Sequence, residues 1–198
     1  KTLGGKHKLD ATAGYDYMKW RYWYVTANAT GSVSDKVPIL DSGTNFTASN
    51  KDQEQALISY FGRVNYNFDD RYILSATVRA DGSSKFADGN RWGFFPAGSA
   101  AWVISEEPYW NVDRNIMNTF KFRASYGQTG NNGIGLYDTY GAFATGIYAG
   151  QSTLLPSAMQ NTGMKWETTT QLDLGFDLGF FNDRLRVVMD YYNKKTDN

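Results

Sequence analysis

The feature that most constrains this chain is a strict alternation of residue types between positions 60 and 80, interrupted once by two aspartates. One set of alternating positions is largely apolar: Tyr60, Gly62, Val64, Tyr66 and Phe68, then Tyr72, Leu74, Ala76, Val78 and Ala80. The positions between them are more polar: Phe61, Arg63, Asn65 and Asn67, then Arg71, Ile73, Ser75, Thr77 and Arg79. Two alternating arms joined by Asp69-Asp70 predict an antiparallel hairpin.

The two faces of this hairpin differ in chemistry. One face is apolar and rich in tyrosine, whereas the other carries arginine and asparagine. Such a hairpin fits a position between lipid and a water-filled lumen at least as well as a position between a protein core and solvent.

Composition supports strands and narrows the class of protein. Aromatic residues make up 16% of the chain and glycine occurs 20 times, which suits strands, aromatic girdles and turns. The mean hydropathy of -0.51 is uninformative here, because a membrane β-barrel alternates apolar and polar residues. No apolar run approaches the roughly 18 residues of a spanning helix, which excludes an α-helical membrane protein. The net charge of zero gives no reason to invoke nucleic acid, and without cysteine there is no disulfide scaffold.

Similar alternation recurs elsewhere and predicts about seven principal strands. The further strand segments are 6–25, 94–105, 119–128, 166–180 and 185–191, and a second tight turn is expected at Asn182-Asp183. The two faces of segment 94–105 cannot be assigned, since Ala, Gly, Trp and Ile fall on both. Long polar loops are predicted at 26–55, 81–92 and 129–165, with a short strand within 136–147 as an eighth.

Tight and long connections alternate along the chain, as they do in up-and-down outer-membrane barrels. The predicted fold class is therefore all-β: an antiparallel transmembrane β-barrel segment of about seven or eight strands, forming an open curved sheet. Single-chain bacterial barrels have even strand numbers, so seven strands indicate part of a larger barrel. No signal peptide precedes the first strand and the last strand ends in charged residues, so residues 1–198 are expected to be an internal fragment.

Three stretches, in this order, resemble one known family. They are SYFGRVNYNFDDRYILSATVRADGSSKFADGNRWGFFPAGSAAWVISEE (59–107), FKFRASYGQTGNN (120–132) and MKWETTTQLDLGFDLGFFNDRLRVVMDYYNKKTDN (164–198). Together they resemble the β-barrel of the SusC/RagA-like, TonB-dependent outer-membrane transporters. The distinctive motifs are R-x-DGSS-x-F, NRWG-x-FP, RASYGQTGN, and KWETT followed by FFNDRL.

The resemblance implies a larger barrel in the outer membrane of a Gram-negative bacterium. It implies an internal plug domain and a SusD-like lid lipoprotein. It further implies uptake of an oligosaccharide or peptide driven by the TonB complex. The plug, the TonB-contacting N-terminal part and the C-terminal barrel strands are expected to lie outside residues 1–198.

Polar-face residues are the candidates for a solute path. They are Arg63, Arg79, Arg123, Asp173 and Asp177, with Asn131 and Asn132 as candidates for bonding sugar hydroxyls. The alternative is that any water-filled lumen needs polar walls, and that Asn-Gly and Gly-Asn pairs mainly form turns. Patterning alone does not separate these two interpretations.

Two other groups have competing interpretations. Asp81, Ser83, Asp88 and Asn90 carry oxygen ligands suited to Ca²⁺, but they lack a full calcium-loop spacing, so turn formation is the preferred interpretation. Trp20, Tyr22, Trp23 and Tyr24 predict an interface girdle, with an external aromatic platform for sugars as the alternative.

No catalytic machinery or cofactor is expected. His7 is the single histidine, which leaves no Ser-His triad in sequence and no histidine metal cluster. Glu106 and Glu107 are adjacent carboxylates in a connection, without a sign that they share a cleft. The remaining alternatives to the importer are a small self-closed barrel serving as anchor or adhesin, and a soluble carbohydrate-binding β-sandwich.

Overall fold

A computed structural model describes residues 2–3, 5–34, 36 and 39–197, and nearly all of these belong to antiparallel strands. The strands are β1 (Thr2–Leu3), β2 (His7–Thr30), β3 (Asn45–Phe68), β4 (Tyr72–Ser83), β5 (Trp92–Val103), β6 (Met117–Asn131), β7 (Ala142–Tyr148), β8 (Gln151–Ala158), β9 (Glu167–Phe180) and β10 (Leu185–Asp197). Eight of them form one open, curled half-barrel sheet in the order β1-β2-β3-β4-β5-β6-β9-β10, and β7 and β8 form a separate hairpin. The all-β, up-and-down prediction is confirmed. In the described ranges no helix is long and apolar enough to cross a membrane.

Both predicted tight turns are present. Asp69 and Asp70 adopt φ angles of 54° and 55°, and the N–H of Arg71 donates to the carbonyl of Phe68 at 3.0 Å. In the second turn Phe181, Asn182 and Asp183 all have positive φ, at 55°, 55° and 63°. Asp and Asn tolerate this left-handed conformation better than other non-glycine residues, which explains the choice of residues at these turns. We refer to the strand ends joined by these turns as the tight-turn end of the sheet and to the opposite strand ends as the long-loop end.

Cross-strand register confirms the predicted faces and assigns those of β5. Leu74 lies opposite Tyr66 on β3 and opposite Ala100 on β5, so these three residues share the apolar face. Phe94, Pro96, Gly98 and Trp102 follow the same parity as Ala100. Ser75 lies opposite Ser99, which places Ser99 on the polar face. The alternation failed for β5 only because small residues occupy both of its faces.

The apolar face is exposed. Leu74 is 48% exposed, and Val64, Val78, Tyr126 and Phe176 are exposed as well. A soluble β-sandwich is therefore wrong for this chain, because its apolar faces would have to pack on each other. A self-closed eight-stranded barrel is also not formed, since β1 and β10 do not pair in the described part of the chain.

The prediction of a polar loop at 26–55 is wrong. β2 and β3 are each 24 residues long and pair continuously from His7–Phe68 to Thr30–Asn45, so the connection spans only 31–44. β4 ends opposite Leu57, and the remaining part of the hairpin, 19–30 with 45–56, projects as a two-stranded ribbon. A ribbon that has water on both faces needs no alternation of apolar and polar residues, which is why the pattern did not reveal it.

The predicted loop at 129–165 is also wrong in part. β6 continues to Asn131, and the hairpin of β7 and β8 turns at Ala149 and Gly150, both of which have positive φ. The short strand expected within 136–147 corresponds to β7, but β8 was not predicted. The side chains of β7 and β8 are mostly exposed, so again no core-facing alternation is required.

Candidate functional site

Two of the candidate arginines are neutralised by carboxylates on the polar face. Arg79 Nε donates to both oxygens of Asp81 at 2.8 Å, and its Nη2 donates to Ser59 Oγ at 2.9 Å. Arg123 Nε donates to both oxygens of Asp177 at 3.0 Å, and its Nη2 donates to Asp190 at 2.9 Å. Both guanidinium groups therefore form their hydrogen bonds with side chains of the sheet itself. The structure therefore brings Arg123 and Asp177 together but places Arg79 in a separate group.

Arg63 and Asp173 differ, because they line one shared groove. The groove holds about 400 Å³, and small residues such as Ser75, Ala97 and Ser99 also line it. Asp173 accepts hydrogen bonds from Ser125 Oγ at 3.0 Å and from Gln171 Nε2 at 2.8 Å. Arg63 Nε donates to the neutral Asn65 at 3.0 Å, and no carboxylate of the described residues forms an ion pair with it. A solute in this groove would meet one unneutralised cation and one hydrogen-bonded anion.

Asn131 and Asn132 do not line the groove, and they bond to residues at the ends of neighbouring strands and in one loop. Asn131 Nδ2 donates to Glu167 at 3.3 Å, and Asn132 Nδ2 donates to Ser83 Oγ at 3.3 Å. The carbonyl oxygen of Asn132 accepts from Lys85 Nζ at 3.2 Å. These contacts give both residues a role in loop architecture.

A buried aromatic cluster at the long-loop end was not predicted from the sequence. Phe86 is fully buried and Trp166 is 8% exposed, and their ring centroids are 5.3 Å apart. Phe95, which reaches this point from β5, meets Trp166 edge-on at 5.4 Å. Trp166 Nε1 donates to the carbonyl of Arg91 at 2.9 Å. We call Phe86, Phe95 and Trp166 the loop core.

The motifs that were distinctive in the sequence meet at the loop core. DGSS-x-F supplies Phe86, NRWG-x-FP supplies Phe95, and KWETT supplies Trp166. The glycine of QTGN is required for close approach, since a Cβ on Gly130 would lie 1.9 Å from the ring of Phe95. Aromatic residues isolated in otherwise polar loops were the signal that could have revealed this core.

Further hydrogen bonds fasten three loops around the loop core. Thr139 Oγ1 donates to the carbonyl of Lys85 at 3.0 Å, and Asn90 Nδ2 donates to the carbonyl of Thr162 at 2.9 Å. Segments 84–91, 132–141 and 159–166 are thereby joined into one unit. We call this unit the loop cap.

The suggested calcium ligands have other partners. Asp81 pairs with Arg79, and Asp88 pairs with Arg91 at 3.0 Å. Among the described residues no group of three or more His, Cys, Asp or Glu side chains could hold a metal ion. Their contacts agree with a structural role for these residues.

The aromatic residues of β2 do not form one girdle. Trp23 lies on the opposite face from Trp20, Tyr22 and Tyr24, because successive residues of a strand alternate. Lys19 and Arg21, which share the face of Trp23, pair with Glu54 at 2.8 Å and with Asp52. The girdle interpretation of these four residues is therefore wrong. Aromatic pairs do frame the apolar band elsewhere, with Tyr60 stacked on Trp92 at one end of the band and Tyr72 stacked on Trp102 at the other.

Glu107 is a buried carboxylate at the tight-turn end. Its side chain is 4% exposed and accepts hydrogen bonds from the hydroxyl of Tyr72, from Trp102 Nε1 at 2.9 Å, and from Arg71 Nη1 at 3.0 Å. Hydrogen bonds from Tyr72 and Trp102, with the charge of Arg71, hold the pKa of the Glu107 carboxyl below its ordinary value. The adjacent Glu106 is exposed and pairs with Arg114, so the two carboxylates do not share a site.

Replacing Glu107 with glutamine is expected to destabilise the protein at neutral pH and to have little effect in acid. Because the carboxyl pKa is lower in the folded than in the unfolded state, ionised Glu107 stabilises the fold fully at pH values above the unfolded-state pKa of about 4.3. This stabilisation is lost as the pH falls through the lower pKa of the folded state. Urea unfolding of the full-length protein in lipid vesicles at neutral and acidic pH measures the difference. Glu106→Gln, one residue away and exposed, is the matched control. A Glu107→Gln effect of equal size at both pH values would contradict the assignment.

Comparisons with known proteins agree with this architecture. The family model described as TonB dependent receptor-like, beta-barrel, matches residues 1–198. TonB-dependent receptor P3 of Formosa agariphila is 38% identical over 98% of this chain and 20% of the relative. TonB-dependent receptor SusC of Bacteroides thetaiotaomicron is 40% identical over 72% of this chain and 15% of the relative. A solved structure of the RagAB peptide transporter superposes with a TM-score of 0.88 at 29% identity, over all of this chain and 22% of that one. The chain thus spans about a fifth of the length of the first of these curated relatives.

Proposed function

Because this chain belongs to the family of TonB-dependent receptor-like β-barrels, we propose that it supplies barrel wall and external loops to an importer in the cell outer membrane of a Gram-negative bacterium. The observation that carries this proposal is the division of one sheet into an exposed apolar face and a hydrogen-bonded polar face. The apolar face contacts outer-membrane lipid, and the polar face forms the wall of a water-filled lumen.

The extent of the apolar band fits a bilayer. On β2 the outward apolar run extends from Leu9 to Tyr17 and stops at Lys19, whose charge is paired with Glu54. A tilted spanning strand needs about 9–11 residues. The backbone N–H and C=O groups of each strand bond to the neighbouring strands, which is required where hydrocarbon surrounds the protein. The tight-turn end then faces the periplasm and the loop cap faces outward.

The polar face suggests a division of roles among the candidate solute-path residues. Arg63 and Asp173 line the open groove and are our candidates for transient contacts with the solute. Arg79, Arg123 and Asp177 are engaged in ion pairs and keep the wall neutral. Asn132 holds the loop cap through Ser83 and Lys85, and Asn131 bonds across the sheet to Glu167.

The complete importer is proposed to contain parts beyond residues 1–198. These are the remaining barrel strands, an internal plug, an N-terminal part that contacts the TonB complex, and a SusD-like lipoprotein acting as a lid. The solute is proposed to be an oligosaccharide or a peptide. The naming of relatives as TonB-dependent receptors, and of one structural neighbour as a peptide transporter, supports this class.

Growth on single nutrients tests the proposal. Cells that carry the full-length gene are expected to use at least one oligosaccharide or peptide that cells lacking the gene cannot use. Removal of TonB should abolish the same growth, because energy for import comes through that complex. Restoring the gene is the control. Gene-dependent growth that persists without TonB would contradict the proposed mechanism, and the absence of any gene-dependent nutrient would contradict import.

A further inference from the structure

The ribbon formed by 19–30 and 45–56 has one face of unusual composition. From the pair Trp20–Gln55 to the pair Thr30–Asn45, register places every second residue of each strand on this face. Its members are Trp20, Tyr22, Tyr24, Thr26, Asn28 and Thr30, opposite Gln55, Gln53, Lys51, Ser49, Thr47 and Asn45. Every side chain is aromatic, hydroxyl or amide, with one ammonium, and none is aliphatic or acidic. We call this surface the ribbon face.

The polar side-chain groups at the base of the ribbon face have no hydrogen-bond partner among the described residues. Tyr22 is 48% exposed and Tyr24 is 44% exposed. Within the described ranges no side-chain hydrogen bond joins Trp20, Tyr22, Tyr24, Gln53 or Gln55 to another residue. The polar face of the lower sheet is different, since Ser59, Ser125 and Asp173 are all bonded there. Solvent-accessible groups without a protein partner bond to water, and a ligand can replace that water.

The position of the ribbon face is outside the apolar band. Lys19 and Arg21, on the reverse side of the same strand, form ion pairs with Glu54 and Asp52. Charges at this level place the ribbon in water, and its twelve residue pairs extend roughly 35 Å at about 3.3 Å per residue. The backbone N–H of Glu54 in the ribbon donates to the Tyr137 hydroxyl of the loop cap at 3.3 Å.

We propose that the ribbon face binds a neutral oligosaccharide. This inference rests on the proposed importer function and specifies where its solute first attaches. A pyranose ring has an apolar face that stacks on an aromatic side chain and a rim of hydroxyls that bond to amides. The rings of Trp20 and Tyr22 lie beside the amides of Gln55 and Gln53, which supply both kinds of contact on two successive cross-strand pairs.

The composition argues against other solutes at this face. An anionic ligand would find one cation, Lys51, and an extended peptide is more readily bound through the backbone edges of a strand than through its face. A protein partner would be expected to use aliphatic as well as aromatic contacts, and this face has no aliphatic side chain.

Binding to the full-length receptor in lipid nanodiscs tests the proposal. The probes are neutral linear oligosaccharides of glucose, mannose and xylose, compared with uronic acid oligosaccharides and neutral peptides of matched length. At least one neutral oligosaccharide is expected to bind. Trp20→Ala and Tyr22→Ala should each weaken it by about two- to tenfold, the range that aromatic contacts provide. Trp23→Ala, on the reverse side of the same ribbon, is the matched control and should leave affinity unchanged.

The possible outcomes are distinct. The proposal would be overturned if no neutral oligosaccharide bound, or if Trp20→Ala and Tyr22→Ala both kept the affinity of the unchanged receptor. Selective binding of acidic sugars or peptides at this face would also overturn it. Because the ribbon lies outside the barrel wall, all three variants should reach the outer membrane in normal amounts. TonB-dependent growth, measured separately, shows whether the importer function stands when the ribbon proposal fails.

Discussion

Replacing Trp166 with alanine is expected to open the loop cap while leaving the barrel wall folded. The substitution removes the ring that contacts both Phe86 and Phe95, together with the hydrogen bond to Arg91. Loss of a large buried aromatic side chain costs about 3–5 kcal/mol. Amide hydrogen exchange in segment 84–91 of the full-length protein should accelerate by about two to four orders of magnitude, which corresponds to that free energy.

Trp92→Ala is the control for the loop cap. Trp92 directly follows segment 84–91 as the first residue of β5, and it lies on the apolar face, where it stacks on Tyr60 and is mostly exposed. Its removal should leave exchange in segment 84–91 nearly unchanged. Equal acceleration in both variants would mean that the loop core does not hold the loops, and unchanged exchange in Trp166→Ala would have the same meaning.

Arginine in place of Leu74 is expected to impair folding of the barrel in lipid. Leu74 is on the exposed apolar face of β4. It is the neighbour on that face of Ala76, which is the middle residue of the apolar run Tyr72–Ala80. A charge on the lipid side costs about 2–4 kcal/mol near the midplane and less toward the interfaces. The measurement is the fraction of full-length protein that folds into lipid vesicles.

Adjacent positions on the polar face provide the control. Ser75→Arg places the same charge one residue away, toward the groove that Arg63 and Asp173 line, and should fold at near-normal levels. Two single cysteine variants test the same face assignment without adding a charge. Ser99→Cys should react with a water-soluble thiol reagent, and Ala100→Cys should not. Equal folding of Leu74→Arg and Ser75→Arg, or equal labelling of the two cysteines, would show that the faces are wrongly assigned.

The parts of the fold that were predictable are those that face two different environments. Between residues 60 and 80 one side of the strand meets an apolar surrounding and the other a polar one, so the period of two is explicit in the sequence. Asp69-Asp70 and Asn182-Asp183 were recognisable because few residues accept the left-handed conformation of these turns.

The parts that were not predictable lack such a contrast. The ribbon residues 26–30 and 45–55 and the hairpin of β7 and β8 have water on both sides, so these strands need no alternating pattern. The loop core joins residues as distant as Phe86 and Trp166, and no local pattern reports a contact of that range. For the candidate site, residue type identified Arg63 and Asp173, but only the geometry separated them from the ion-paired Arg79 and Arg123.

The strand order also has a kinetic consequence. Every junction in the main sheet joins neighbours in the chain except β6 with β9, which meet across the excursion 132–166. Local hairpins form quickly, whereas a long excursion must close a loop before its contacts compensate for the lost entropy. Trp166 directly precedes β9 and packs against Phe95 of β5, so it anchors the returning chain next to the strand pair that it must extend. The junction of β6 with β9 is therefore expected to be the slowest contact to form in this sheet.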